Sequence, residues 1–82
     1  MAHLRPIYQI AIDIERQWQK PYFGAIPYLN AMHYLQDIHS YYRHDSADIV
    51  ILYFLANSVS FKGEWARRLK NELKDHLRSG SA

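Results

Sequence analysis

The sequence predicts an all-α fold, a compact bundle of about four helices around a hydrophobic central third helix. Two observations predict it. Three segments place apolar residues at the spacing of one helix face. The apolar run from Ile49 to Leu55 has no second strand candidate to pair with, and a lone strand would leave its backbone groups unsatisfied. We therefore predict one helical domain over residues 1–78, followed by a flexible tail over 79–82.

The first helix is predicted from Pro6 to Gln19, because proline is tolerated at a first helical position. One side of this helix is apolar and consists of Ile7, Ile10, Ala11, Ile14 and Trp18. A loop follows over 20–25, where Pro21 and Gly24 interrupt regular structure. The second helix is predicted from Ile26 to about Tyr42, on the spacing of Leu29, Met32, Leu35, Ile38 and Tyr42.

The third helix follows the polar turn 43–46, where Asp45 or Ser46 can accept hydrogen bonds from its first free amides. A helix that is apolar on all sides is typical of the centre of a small bundle. The fourth helix, predicted from Glu64 to Arg78, carries an apolar stripe and a Glu64–Arg68 pair in the favourable order. The stripe consists of Trp65, Leu69, Leu73 and Leu77, and we expect Trp18 and Trp65 to anchor the outer helices against the third.

Composition excludes several classes of protein. There are no cysteines, which excludes disulfides, zinc ribbons and thiol nucleophiles. The N-terminal residues lack the apolar core of a signal peptide, and the longest apolar run, over 49–56, has eight residues where a membrane span needs about 20. We therefore expect a soluble, cytoplasmic protein without a membrane association.

Metal binding and catalysis are not indicated by the titratable residues. His33, His39 and His44 are six and five residues apart, so one helix does not bring them to a common face. His33 and Asp37 are predicted to form a surface pair. Ser46 follows His44 and Asp45, but adjacent turn positions cannot align nucleophile, base and orienting group. We predict no cofactor, no metal and no enzymatic activity.

Positive charge is concentrated at the end of the chain. Residues 1–61 hold 4 basic and 5 acidic side chains, whereas residues 62–82 hold 6 basic and 3 acidic ones. Four of these cations form a row opposite the apolar stripe of the fourth helix: Arg67, Lys70, Lys74 and Arg78. Such a row can follow phosphates of a nucleic acid, or it is a solvated helix face.

Aromatic residues surround the second helix and are too numerous for one core. Five of them form a candidate partner surface: Tyr22, Phe23, Tyr28, Tyr34 and Tyr41. Tyrosine is enriched in protein interfaces, although the same residues also suit the edge of a small core.

Three segments carry a resemblance: 22–29 (YFGAIPYL), 53–58 (YFLANS) and 65–70 (WARRLK). In these the chain resembles small uncharacterised helical proteins of bacteriophages and mobile elements of Gram-positive bacteria. The resemblance implies a small protein that acts by binding a host or phage component, and it assigns no residue a role.

The function predicted from the sequence is therefore a non-enzymatic protein–protein interaction module. Its partner is unknown, and a second copy in a homodimer is one possibility. The alternative is a small nucleic-acid-binding protein that uses the basic face of the C-terminal helix.

Overall fold

The computed structural model describes residues 4–80. Residues 1–3 of the predicted domain and 81–82 of the predicted tail lie outside that range. The elements in chain order are α1 (Ile7–Gln17), a 3₁₀ turn (Phe23–Ala25), α2 (Ile26–Met32), β1 (Tyr41–Tyr42), β2 (Asp45–Ser46), α3 (Ala47–Ala56) and α4 (Glu64–Ser79). The predicted all-α class is confirmed, with one small two-stranded sheet beside the four helices of this range.

The helices pack as two pairs, which form the two layers of the fold: α1 with α4, and α2 with α3. α1 packs against α4 and α2, and α3 packs against α2 and α4. The chain extends 33 × 30 × 18 Å. A helix with its side chains is about 10–12 Å across, so the thinnest dimension holds two layers and every helix keeps an outer face. None of the helices within residues 4–80 combines the length and the apolar character that a bilayer crossing requires.

An aromatic cluster joins the layers at one end of the core. The Trp18 ring stacks on Phe61, with centroids 5.1 Å apart, and meets the edge of Phe54 at 6.2 Å. Trp18 is therefore a core anchor, as predicted. Phe61 belongs to the connection before α4, where the sequence predicted no core residue, and it is buried.

The second helix is shorter than predicted, and its extension to Tyr42 is wrong. α2 ends at Met32, and two carbonyls of the segment that follows serve α1: the amides of Ile7 and Tyr8 donate to Gln36 O and Leu35 O, both at 3.0 Å. These bonds satisfy amides at the start of α1 that have no partner within the helix. Leu35 is fully buried from this non-helical segment, so it occupies the core position that the helical spacing indicated.

A tight turn and a two-residue ladder replace the rest of that helix. The Ser40 hydroxyl accepts hydrogen bonds from the amides of Gln36 and Asp37, at 3.0 and 3.1 Å, which stabilises the turn. Tyr41 and Tyr42 then pair with Ser46 and Asp45, an antiparallel ladder that the sequence did not predict. The reversal contains Arg43 in the left-handed region, at φ 59°.

The third helix packs against α2 and α4 and keeps an exposed outer face. Its inner face is buried and consists of Ala47, Val50, Ile51 and Phe54. Ser46 stands at the N-cap position, as predicted, but its hydroxyl bonds the Asp48 carboxylate and not a helix amide. The first amide, that of Ala47, donates to Ser40 O at 3.0 Å.

The fourth helix begins at Glu64, as predicted, and includes Ser79, one residue of the predicted tail. Its predicted stripe is wrong at Trp65, which is half-exposed with the Arg68 guanidinium over its ring. A strict four-residue repeat advances about 40° around a helix at each step, so only Leu69 and Leu73 of the stripe are fully buried. Ala66 and His76 complete the buried face, and His76 Nε2 lies 2.6 Å from Arg5 O.

Candidate interaction surfaces

The outer face of α3 is the clearest exposed apolar feature of the chain. Ile49, Leu52, Tyr53 and Ala56 follow one another at steps of three, one and three, directly opposite the buried face. Leu52 and Tyr53 are 51% and 53% exposed. We call this face, together with the Tyr22 and Tyr28 rings beside it, the α3 surface. A helix with apolar residues on both faces is typical of a position where another element or another chain covers its outer face as well.

The two tyrosines extend the α3 surface sideways. The Tyr28 ring lies 5.5 Å from the Tyr53 ring, and Tyr22 lines a depression of about 290 Å³ with Ala56 and Val59. Gly24 permits this arrangement: a Cβ at that position would lie 2.5 Å from the Tyr22 ring. The edge of the α3 surface is therefore fixed by backbone shape.

The predicted aromatic surface divides into two groups. Tyr22, Phe23 and Tyr28 gather beside α3, and Phe23 lies 4.8 Å from the Tyr22 ring. Tyr34 instead stacks near Tyr42 at 5.2 Å, and Tyr41 is exposed on the hairpin. No ring contact joins the two groups within the described chain. Sequence reasoning missed Leu52 and Tyr53, because uniform apolarity hid which side of α3 would be outside.

Charge lies at the two ends of the α3 surface and not at its middle. Asp48 stands at the start of the helix, and the Ser46 hydroxyl lowers the pKa of its carboxyl group. Lys62 borders the Tyr22 depression beyond the C-terminal end. The surface is thus acidic at one end, apolar along its length and basic at the other.

The predicted basic row on α4 does not remain a row of free cations. Arg78 forms an ion pair with Asp75, so it is not a free cation of that row. Lys70 is half-buried, and its ammonium donates to Ser58 O and Phe61 O at 2.8 and 2.7 Å. Arg67 and Lys74 are exposed, and the Glu64–Arg68 pair forms as predicted, at 3.1 Å.

A groove lies between α4 and the segment before it. It has a volume of about 290 Å³ and is lined by Lys62, Arg67, Lys70, Asn71 and Lys74, with Phe61 and Ala66 also in its wall. Gly63, at φ 105° and ψ −180°, joins the two sides of the groove in a backbone conformation that is essentially restricted to glycine.

The Lys70 ammonium should titrate at a lower pH than a free lysine. Burial lowers the pKa of Lys70 below its usual 10.5, and the positive charges of Lys74 and Lys62 lower it further. The folded protein loses this proton more readily than the unfolded chain. The stability contribution of Lys70 therefore rises as pH increases from the folded pKa toward 10.5. Side-chain ¹⁵N NMR titration checks the shift, and Lys74→Ala should reduce it; a midpoint at 10.5 or above would contradict it.

Histidine side chains of residues 4–80 do not cluster with other metal-ligating groups. The predicted His33–Asp37 pair is wrong, because His33 Nε2 instead lies 3.0 Å from the Glu15 carboxylate. Within residues 4–80, no three side chains of histidine, cysteine, aspartate or glutamate meet as metal ligands would.

No protein-family model, no curated protein and no solved structure matches the chain.

Proposed function

We propose that this chain is a non-enzymatic protein-interaction module that pairs with a second copy of itself through the α3 surface. The observation that carries the proposal is the exposed apolar face of α3, with Leu52 and Tyr53 each more than half exposed. We place the protein in the cytoplasm, which its lack of cysteine fits. The resemblance to phage and mobile-element proteins also favours a binding role.

The apolar face would gain stability from a partner. A domain of this size buries only about 60–65% of its unfolded surface and has little stability to spare. Covering Leu52 and Tyr53 would remove further apolar area from water, at roughly 25 cal/mol per Å². Aromatic and aliphatic side chains at the centre of a patch are the usual anchors of an interface.

A second copy fits the charges at the two ends of the α3 surface. In a twofold-symmetric dimer the same patch is used by both subunits. Antiparallel packing of two α3 helices brings the Asp48 end of one copy toward the Lys62 end of the other. The two apolar middles then meet without facing like charges, which favours this arrangement over a parallel one.

Sedimentation equilibrium tests the proposal directly. The natural chain should sediment as a dimer at micromolar concentration, and Leu52→Glu should weaken dimerisation by about a hundredfold or more, because it places two charges in an apolar contact. Ile12→Glu is the matched control, since Ile12 is an exposed aliphatic residue on α1 and not part of the α3 surface. Circular dichroism should show that both variants keep the helical fold.

Two outcomes would contradict this assignment. The first is a natural chain that stays monomeric up to millimolar concentration. The second is a dimer that Leu52→Glu and Ile12→Glu affect equally, since the contact would then lie elsewhere.

A second candidate function is nucleic-acid binding. It is favoured by Arg67 and Lys74, exposed cations without an ion-pair partner in the described range. Retention on generic DNA that decreases steeply with salt, and that Lys74→Glu abolishes, would support it. Retention that Lys74→Glu leaves unchanged would contradict it.

A further inference from the structure

The groove beside α4 concentrates positive charge that nothing nearby neutralises. Lys62, Arg67, Lys70 and Lys74 line it, and no carboxylate does. Within residues 4–80, none of these four cations takes part in an ion pair. Like charges this close repel one another, so the groove is electrostatically unfavourable when it is empty.

The acidic residues of α4 are all held away from the groove. Glu64 pairs with Arg68 at 3.1 Å, Glu72 pairs with Arg5 at 2.7 Å, and Asp75 pairs with Arg78. These pairings leave one side of α4 with cations alone. The helix is thus divided into a neutralised side and a groove side with excess positive charge.

Two hydrogen bonds to backbone carbonyls fix the Lys70 side chain in the wall of the groove. Its ammonium donates to Ser58 O and Phe61 O and lies 5.7 Å from the centroid of the Phe61 ring, so its charge is held in one position in the groove wall. Holding the side chain in one position removes much of the entropy cost that a flexible lysine pays on binding. Arg67 adds a planar fork that can bind two oxygens of an anion at once.

We propose that this groove binds a phosphate group. A phosphate carries up to two negative charges on several oxygens, which matches four converging cations better than a single carboxylate does. The volume of about 290 Å³ lies at the lower end of ligand sites, so the groove accommodates the phosphate while the rest of the ligand extends into solvent. Apart from Lys62, which borders both places, the groove uses no residue of the α3 surface. If the ligand is DNA, the inference rests on the second candidate function and assigns its contact to this groove.

Two sources of phosphate are distinguished by the choice of probe. Inorganic pyrophosphate represents a free phosphate compound, and a short mixed-sequence single-stranded DNA represents a nucleic-acid backbone. Binding of either is measured by isothermal titration calorimetry at about 50 mM salt, where phosphate contacts are weakly screened.

The variants distinguish binding in the groove from a general effect of the protein's positive charge. Arg67→Ala with Lys74→Ala should weaken the binding of at least one probe about tenfold or more, since both cations line the groove. Arg16→Ala with Lys20→Ala removes the same charge from exposed positions near α1 and should change affinity less than twofold. Arg78→Ala should also have little effect, because Arg78 is paired with Asp75 outside the groove.

The pattern of affinity losses among the variants decides whether phosphate binds in the groove. Loss confined to the groove variant supports it, and the probe that binds identifies the source of the phosphate. Equal losses in the groove and control variants, or no binding of either probe by the natural chain, would overturn it. Sedimentation of the same variants reports separately on the α3 surface, so failure here leaves the dimer proposal unaffected.

Discussion

Phe54→Ala should lower the free energy of unfolding by about 3 to 5 kcal/mol, the usual cost of removing a buried phenylalanine ring. Phe54 is fully buried and meets the Trp18 ring edge-on at 6.2 Å, where the two helical layers join. A domain of this length has about 4 to 12 kcal/mol of stability in total. The variant should therefore be close to unfolded at 37 °C, and urea denaturation followed by tryptophan fluorescence measures the loss.

The matched control is Phe23→Ala, which makes the same chemical change at a ring that is 76% exposed. Phe23 touches the Tyr22 ring at 4.8 Å but lies outside the core, so its loss should cost less than about 1 kcal/mol. Equal costs at the two positions would show that α3 does not carry the core as described.

Arg5→Met should cost about 2 to 3 kcal/mol, because it breaks an ion-pair network that joins three parts of the chain. Arg5 Nε and Nη2 each donate to the Glu72 carboxylate at 2.7 Å, and Nη1 donates to Asp13 at 2.8 Å. The guanidinium therefore ties the N-terminal segment to both α1 and α4. These contacts hold the pKa of Arg5 above its usual range.

A double-mutant cycle separates the pair from other effects of losing Arg5. Combining Arg5→Met with Glu72→Gln should reveal a coupling energy of about 1 to 2 kcal/mol, since the side chains are only partly exposed. Arg16→Met is the control on an exposed arginine of α1 and should change stability by less than about 0.5 kcal/mol. A coupling energy near zero would mean that the Arg5–Glu72 bonds contribute nothing.

Local periodicity was sufficient for the fold class and for most helix ends. α1 and α4 begin within one residue of the predicted positions, and the buried side chains of α1 lie on the predicted face. The extension of α2 was wrong because Leu35 fits a helical spacing, yet the Leu35 carbonyl accepts the Tyr8 amide from a distant part of the chain. A local pattern contains no information about that bond.

The candidate surfaces were only partly predictable for a related reason. Tyr22 and Tyr28, which were predicted as parts of a partner surface, lie beside the outer face of α3, and the sequence did not indicate that face. Which side of a uniformly apolar helix is outside depends on packing and not on its own sequence. The groove also depends on the folded chain, because the turn at Gly63 brings Lys62 beside α4.

If two copies of the chain meet through the α3 surface, cysteine cross-linking detects that contact. The natural chain has no cysteine, so a single introduced thiol can pair only with the same residue of another copy. Leu52 lies at the middle of the α3 surface, where a twofold axis would bring its two copies within the roughly 4.4 to 6.8 Å that a disulfide spans between Cα atoms. Gln9→Cys, on the exposed side of α1, serves as the control.

Under mild oxidation, Leu52→Cys should form a covalent dimer rapidly and nearly completely, while Gln9→Cys should remain largely monomeric on a non-reducing gel. Equal and slow cross-linking of the two variants would contradict a dimer that forms through the α3 surface.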